Sequence, residues 1–122
     1  MSNNTLNWFE INVTDLEASA KLYGAMLDTA PKRETLFGIP HAVFAAERPA
    51  MGGALIQDPK RKTGHGGTVV YFHAKDGVKA CFARALEAGA KAVVPPMPIA
   101  PFGTIAVVED LDGNHVGLHA PE

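Results

Sequence analysis

The sequence predicts an α+β fold built from two similar halves, each with the order strand, helix and three strands. The first observation is an internal repeat, because Asn7–Asp15 and Thr68–Asp76 both run from a polar start through an alternating strand to an aspartate. Asp15 and Asp76 lie 61 positions apart, which is half of the 122 residues. The second observation is that helical spacing follows each aspartate, and the third is that three short extended segments follow each helix.

The strand that opens the first half alternates between two faces. Its apolar face carries Phe9, Ile11 and Val13, and its mixed face carries Trp8, Glu10 and Asn12. A period of two indicates a strand with one buried face. The helix that follows is predicted to start with a capping box over Thr14–Glu17, in which the hydroxyl and the carboxylate satisfy free amides. It buries the stripe Leu16, Ala20, Tyr23 and Leu27, and Pro31 prevents its continuation.

The second half repeats this arrangement. Val70, Phe72 and Ala74 alternate with Val69, Tyr71 and His73. Asp76 is predicted to cap the next helix, and Gly89 to end it. The buried stripe of that helix is Val78, Phe82, Ala85 and Leu86. Cys81, beside this stripe, is expected to be a buried structural thiol.

Short extended segments complete each half. They are expected near 35–37, 41–46 and 53–56 in the first half, and near 91–94, 104–108 and 116–119 in the second. Asp112-Gly113-Asn114 supplies a turn before the last strand. Gln57–Gly67, rich in proline, glycine and lysine, is predicted to link the halves. Pro95–Pro101 is predicted to be a stiff loop at the rim of a pocket.

The composition narrows the classes of protein that the chain can represent. A length of 122 residues predicts one domain, with module one at about 1–60 and module two at about 61–122. A net charge of −2 gives no case for nucleic-acid binding. No apolar run reaches the roughly 20 residues that span a bilayer, and Met1–Thr5 lacks the features of a signal peptide. The single cysteine excludes an internal disulfide, so we expect a cytoplasmic protein.

Three stretches resemble the vicinal oxygen chelate superfamily, which includes glyoxalase I, bleomycin-resistance proteins and extradiol dioxygenases. Asn7–Leu16, Gly67–Phe72 and Asp110–His119 look like the first strand, the fifth strand and the closing D-x-[DE]-G-N hairpin of a two-module domain. The resemblance covers nearly the whole chain and is nearest to distant relatives of lactoylglutathione lyase. It implies two βαβββ modules that form an incurved mixed sheet with helices on the outer face. It also implies a homodimer, since a single pair of modules in this superfamily often completes its cavity with a partner.

The resemblance does not extend to the metal ligands of the superfamily. In its metal-dependent members, a histidine or glutamine stands early on the first strand of a module and a glutamate on its last strand. The corresponding positions here hold Trp8, Val69 (or Thr68 if the register slips by one), Gly117 and Gly53. None of these is a good ligand for a divalent metal, which needs imidazole and carboxylate groups. We therefore expect no metal at these positions and no other cofactor.

The mixed strand faces are expected to point into the interior of the curved sheet. Four residues then converge on one predicted ligand-binding site: Trp8, Glu10, Tyr71 and His119. An aromatic wall with a few polar groups suits a small molecule, and a carboxylate and an imidazole can act as general base and acid. The alternative is purely structural, with Trp8 filling space, Glu10 paired with a cation, and Tyr71 and His119 at the surface. The sequence names no catalytic residue.

Three functions are compatible with these features. The first is a metal-independent, glyoxalase-like protein that binds or converts a small molecule. The second is a metal-dependent lyase or dioxygenase with a relocated site made from Glu10, His73, His115 and His119, which all have ligand chemistry. The third is a protein that sequesters a drug, for which −2 is a weak charge.

Overall fold

The computed structural model describes residues 6–44, 46 and 52–121, so residues 1–5 and part of the predicted 41–46 segment lie outside it. Each half has one strand, one helix and three further strands. The first half comprises β1 (Trp8–Asn12), α1 (Leu16–Leu27), β2 (Lys32–Leu36), β3 (Ile39–Phe44) and β4 (Gly52–Ile56). The second comprises β5 (Val70–His73), α2 (Val78–Glu87), β6 (Lys91–Pro98), β7 (Thr104–Glu109) and β8 (His115–Ala120). The predicted pair of βαβββ modules is confirmed.

Each module has its own four-stranded mixed sheet. The strand orders are β1-β4-β3-β2 and β5-β8-β7-β6, so the two modules share one topology. In each module the first and last strands pair in parallel, and the remaining pairs are antiparallel. The parallel pair is possible because the helix provides the crossover connection that parallel strands require.

Each sheet has a helix side and an open side. On the helix side of β1, Ile11 belongs to the buried core and Phe9 packs against it. Phe72 on β5 and Leu118 on β8 belong to the same core in the second module. The alternate residues lie on the opposite face of each sheet, which we call the open face.

An aromatic cluster joins the two modules beneath the helices. The Phe72 ring meets Phe9 edge to face with centroids 5.4 Å apart, and it meets Phe44 at 5.5 Å. Tyr23 of α1 completes the cluster, 6.0 Å from Phe44 and 5.9 Å from Phe72. These distances fall in the range in which aromatic pairs attract each other beyond simple burial.

The predicted capping box of α1 is wrong. Asp15 is the N-cap, and its carboxylate accepts a hydrogen bond from the Ala18 amide at 3.1 Å. The predicted partners are engaged elsewhere, because the Thr14 hydroxyl donates to Asp112 and Glu17 pairs with Arg33 at 2.6 Å. Contacts distant in sequence therefore displaced a local motif that was valid by spacing alone.

The start of α2 also differs from the prediction. Gly77 is the N-cap and makes no side-chain capping bond, while Asp76 has a left-handed backbone with φ 67°. The buried stripe includes Cys81, whereas the predicted Leu86 is 38% exposed. The predicted stop is confirmed, since the C-cap Ala88 is followed by Gly89 with φ 113°.

The predicted proline loop is partly a strand. β6 continues through Pro95, Pro96 and Pro98, and it pairs with β7 through two shifts in register. β6 is the outermost strand of its sheet. Proline is tolerated there because an edge strand has one side on which no amide donor is needed.

The turn between β7 and β8 ties the modules together. The Asp110 carboxylate, only 5% exposed as a residue, accepts hydrogen bonds from the Tyr23 hydroxyl at 2.7 Å and from the Asn114 side-chain amide at 2.9 Å. Its other oxygen accepts from the backbone amides of Asp112 and Asn114 at 2.8 and 2.9 Å. Asn114 in turn donates to the Asn12 carbonyl at 2.9 Å. We call these groups the Asp110 turn.

Among the described residues, no helix has the length and apolar character that spanning a bilayer requires.

Replacing Tyr23 with phenylalanine should destabilise the protein by about 1–3 kcal/mol, because a buried carboxylate loses one hydrogen-bond donor. Urea unfolding measures the change. Tyr71→Phe is the matched control, since Tyr71 is 45% exposed. Equal losses in the two variants would contradict the role of the buried hydrogen bond.

The same residue should make stability depend on alkaline pH. Burial raises the pKa of Tyr23 well above its usual value, and the nearby Asp110 carboxylate raises it further. The neutral phenol is therefore favoured in the folded state. Its contribution is complete below the unfolded pKa of about 10 and is lost as the pH rises through the folded value. As the pH rises above about 10, the free energy of unfolding of the native protein should therefore fall, and that of Tyr23→Phe should fall less.

Candidate functional site

The four predicted site residues lie on the open faces of the two sheets, in two groups. In module one, Trp8 and Glu10 face the same way because they alternate along β1. In module two, Tyr71 is opposite Gly117 in the register of β5 and β8, and His119 is opposite His73. The structure therefore gives each module one aromatic and one ionisable candidate.

In module one, Glu10 is held between a cation and an indole. Its carboxylate lies 2.8 Å from Nη1 of Arg61 and accepts a long hydrogen bond, 3.4 Å, from the Trp8 indole. Trp8 is 47% exposed and packs over Gly52, where an added Cβ would lie 3.2 Å from the ring. The predicted structural alternative for Glu10, a pairing with a cation, is what the structure shows.

In module two, the Tyr71 ring lies directly over Gly117. A Cβ added at Gly117 would overlap the ring, so residue 117 tolerates no side chain while Tyr71 keeps this position. Almost half of Tyr71 remains exposed. The glycine and the aromatic residue therefore form one unit, which presents a flat surface to the open side.

His119 has a defined tautomer. Its Nε2 lies 2.6 Å from the carbonyl oxygen of Phe102. A carbonyl oxygen can only accept, so Nε2 carries the proton and Nδ1 is left with the lone pair. This nitrogen is able to accept a proton or a hydrogen bond from a bound molecule.

A cavity of about 620 Å³ lies beside the C-terminal end of β1, and we call it the linker cavity. Its lining is Asn12, Val13, Thr14, Gln57, Asp58, Pro59, Arg61, Lys62 and Thr63. Arg61 thus connects this cavity to Glu10. The linker folds back onto the end of β1 because the Asn12 side chain donates to the Arg61 carbonyl and accepts from the Asp58 amide, both at 2.9 Å. The four predicted residues themselves do not line this cavity.

A second cavity, of about 530 Å³, opens beside the aromatic cluster. It is lined by Phe9, Leu27, Asp28, Thr29, Phe44, Phe72, His73 and Lys75. Its rim carries the ion pair between Lys75 and Asp28, with a separation of 3.1 Å. It lies next to the helix side of the sheets, since it is walled by the core phenylalanines.

Histidine and glutamate residues gather at a place that the sequence did not single out. Among the described residues, the ligand atoms of His65, Glu109 and His115 lie within 4.8 Å of one another. The predicted relocated set of Glu10, His73, His115 and His119 does not form such a group in the part of the chain that the structure describes. His73 and His119 are opposite each other on β5 and β8, but Glu10 pairs with Arg61 and His115 with Glu109. Only His115 belongs to both sets.

Cys81 is the buried structural thiol that the sequence predicted. Its thiol lies 3.1 Å from the Lys75 carbonyl oxygen, and the residue is fully buried. Burial raises the pKa of Cys81, and the nearby Arg84 guanidinium opposes that effect only in part. A thiol that remains protonated and buried is a poor nucleophile.

Two functional candidates escaped the sequence analysis for different reasons. The sequence places Arg61 only in the predicted linker Gln57–Gly67, and it is the folded linker that brings Arg61 to Glu10. The pairing of Glu109 with His115 could have been found, because both flank the turn that the sequence predicted. Residues that bracket a short hairpin turn face each other across the two strands.

Comparison with known proteins agrees with this architecture. The sequence model of the Glyoxalase/Bleomycin resistance protein/Dioxygenase superfamily matches residues 5–118. The chain therefore belongs to that superfamily. Comparison with curated proteins finds no significant match.

Solved structures show the same fold. A glyoxalase/bleomycin resistance protein from Albidiferax ferrireducens superposes with a TM-score of 0.72 at 20% identity, covering 94% of this chain and 98% of that one. A glyoxylase/bleomycin resistance protein/dioxygenase domain from Frankia sp. gives 0.73 at 19% identity, covering 99% and 100%. A variant of glyoxalase I from Zea mays gives 0.72 at 22% identity, covering 93% of this chain but 46% of the maize chain. At these identities the likeness concerns the fold alone.

The positions that hold metal ligands in the metal-dependent members do not fit a divalent metal here. Trp8 presents an indole, Val69 and Thr68 offer no imidazole or carboxylate, and Gly117 is covered by Tyr71. The prediction that Gly53 matches Gly117 is wrong. Gly53 is opposite Phe9 on the helix side, so Ala54, opposite Glu10, is the open-face counterpart.

Introducing alanine at Gly117 should destabilise the protein by about 1–3 kcal/mol, because its Cβ forces the Tyr71 ring to move. Gly67→Ala is the matched control, since an added Cβ there meets no atom within 4 Å. Thermal and urea unfolding measure both changes. A Gly117→Ala variant as stable as Gly67→Ala would show that the ring does not occupy this position.

Proposed function

We propose that the chain is a glyoxalase-like protein that binds a small organic molecule on its open faces, with no metal at the ligand positions of the superfamily. Trp8, Glu10, Tyr71 and His119 are the proposed contact residues. The observation that carries this proposal is the Tyr71 ring over Gly117, which fills the place of a ligand side chain with an aromatic surface.

The exposed aromatic residues support a binding role. Trp8 and Tyr71 each leave nearly half of their surface accessible on the open faces. Small-molecule sites combine aromatic and apolar walls with a few placed polar groups. Glu10, which bonds both the Trp8 indole and Arg61, supplies such groups in module one. His119, two residues along β8 from the Gly117 that Tyr71 covers, supplies one in module two.

The charge around the linker cavity favours an acidic ligand. Arg61 and Lys62 line it together with one carboxylate, Asp58, which lies 3.8 Å from Nε of Arg61, so the cations of the lining outnumber its anions. A volume of about 620 Å³ lies within the usual range for small-molecule sites. An organic acid with an apolar body would place its carboxylate near Arg61 and its body against Trp8. Small oxo-acids, thiol adducts and aromatic acids form the class that we propose.

If the bound molecule is converted, His119 is the proposed proton acceptor. Its Nε2 proton is engaged by the Phe102 carbonyl, so Nδ1 is the ring nitrogen whose lone pair can act as a base. Glu10 is less suited to this task because Arg61 already pairs with its carboxylate. Its proposed role is to fix the indole and the guanidinium that contact the ligand.

We also propose that the protein acts as a homodimer in the cytoplasm. Several apolar residues remain exposed on or near the open faces: Trp8, Val69, Tyr71 and Met97. The match with maize glyoxalase I fills 46% of that chain, so its length accommodates two such folds. A second copy of this chain would supply the same number of modules. The free, buried Cys81 fits a reducing compartment. A monomeric mass in sedimentation equilibrium would exclude the dimer.

The second candidate function is that of a metal-dependent lyase or dioxygenase with a relocated site. The observation that favours it is the group formed by His65, Glu109 and His115.

The fluorescence of Trp8 provides the test of ligand binding, because it is the only tryptophan in the chain. Titration with small oxo-acids, thiol adducts, aromatic acids and a cationic drug should find an acid that shifts or quenches the emission. That acid should also raise the melting temperature, because binding to the native state stabilises it. Trp8→Ala should abolish binding with little loss of stability, since the indole is half exposed.

The matched control for Trp8→Ala is Phe37→Ala, which removes a fully exposed aromatic residue at the turn between β2 and β3. Calorimetry measures binding to both variants, because Trp8→Ala has lost the tryptophan whose emission reports binding. An acid that binds Trp8→Ala as tightly as the native protein would overturn the proposed site. Selective binding of the cationic drug would favour sequestration instead.

A further inference from the structure

We propose that His65, Glu109 and His115 form a binding site for one divalent transition-metal ion, of which Zn²⁺ is the probe of choice. We call this group the hairpin triad, because Glu109 and His115 flank the β7–β8 turn and His65 lies against it. It lies apart from the metal-ligand positions of the superfamily, and it binds an ion whether or not the open faces bind an organic acid.

The chemistry of the three side chains suits such an ion. Two imidazoles and one carboxylate are the ligands that zinc, nickel and iron share in proteins. Their ligand atoms lie within 4.8 Å of one another. Hard cations such as Ca²⁺ and Mg²⁺ are disfavoured, because they require several oxygen ligands.

Glu109 and His115 are held in place by the sheet. They are opposite each other in the register of β7 and β8, and Nε2 of His115 lies 3.0 Å from a Glu109 oxygen. Two atoms that each lie about 2.0–2.2 Å from one metal are separated by a distance of this size. Both side chains are mostly covered, with exposures of 20% and 26%. The two side chains therefore need little movement to receive an ion, and the Nε2 proton that His115 donates to Glu109 moves to Nδ1 or to solvent when the ion binds.

His65 adds a ligand whose tautomer is already set. Its Nδ1 lies 2.9 Å from the Gly113 carbonyl oxygen, so Nδ1 carries the proton and Nε2 has the free lone pair. Histidines that bind metals commonly donate their second ring N–H to a backbone carbonyl in this way. The Gly64 amide also donates to Asn114 at 2.8 Å, which fixes the backbone beside His65 to the same turn.

The two imidazoles stack without an ion. Their centroids are 3.7 Å apart and their planes differ by 9°. Parallel rings do not aim their lone pairs at one point, so one ring must rotate when an ion binds. His65 is exposed and belongs to the linker, and its rotation meets the least resistance. Stacking therefore keeps the triad assembled until the ion arrives.

The position of the triad gives the ion access to the open face of module two. His115 precedes Gly117 by two residues on β8, so its side chain lies on the same face of the sheet as the Tyr71 ring that covers Gly117. Two residues along a strand span roughly 7 Å. A molecule stacked on Tyr71 would reach the free coordination positions of an ion held by three protein ligands.

The test is a Zn²⁺ titration of the full chain, purified without an affinity tag and freed of metal with a chelator that is then removed. Calorimetry should give one ion per chain with micromolar or tighter affinity. His65→Gln, Glu109→Gln and His115→Gln should each weaken binding by more than the roughly 10–100-fold that second-shell changes cost. Co²⁺ should show visible d–d absorption that these three variants lose.

His73→Gln and His119→Gln are the matched controls, because both histidines lie on the open face of the same module but outside the triad. Circular dichroism and urea unfolding establish that every variant is folded. Full binding in the two controls with loss in the three triad variants would support the site. Failure to bind Zn²⁺, millimolar binding only, or equal losses in the controls would overturn it.

Discussion

The buried carboxylate of Asp110 is the interaction on which the rest of the molecule depends. It accepts four hydrogen bonds, one of them from Tyr23 of the other module. Asn114 extends the connection to the Asn12 carbonyl and the Gly64 amide. A buried charge is tolerated only when its hydrogen bonds are satisfied, and removing one partner is costly. The two modules, the turn and the linker therefore meet at this carboxylate and its partner Asn114, which add polar bonds to the aromatic cluster that also joins the modules.

This constraint explains why the linker cavity and the hairpin triad both adjoin the same turn. Asn12 and Thr14, which contact the turn, also line the linker cavity. Gly113, inside the turn, orients His65. Glu109 and His115 are the strand residues on either side of it. The internal repeat supplied two similar scaffolds, but the sequence Asp112-Gly113-Asn114 occurs only in the second half, so the chemistry is asymmetric. Tyr71 over Gly117 and Trp8 beside Glu10 are different solutions at equivalent places on the two sheets.

Much of the fold could be predicted because its signals are local. The alternation in Trp8–Val13, the stripe of α1 and the Asp112-Gly113-Asn114 turn each depend on neighbouring residues. The failures came from contacts distant in sequence. Thr14 had the spacing of an N-cap, but Asp112 offered its hydroxyl a partner 98 positions away. Arg61 and His65 acquired their roles only when the linker folded back. The open-face placement of Trp8 and Tyr71 followed from strand period, whereas their exposure depends on what the rest of the chain leaves uncovered.

Native-state hydrogen exchange would test the central role of the Asp110 turn most directly. The amides of Asp112 and Asn114 donate to the Asp110 carboxylate, and the amide of Gly64 donates to Asn114. If this network holds the modules together, these three amides should exchange only through global unfolding, with the same opening free energy as amides of the buried strand residue Leu118. Fast exchange at the turn while the strands of both sheets stay protected would show that the modules are held together by other contacts.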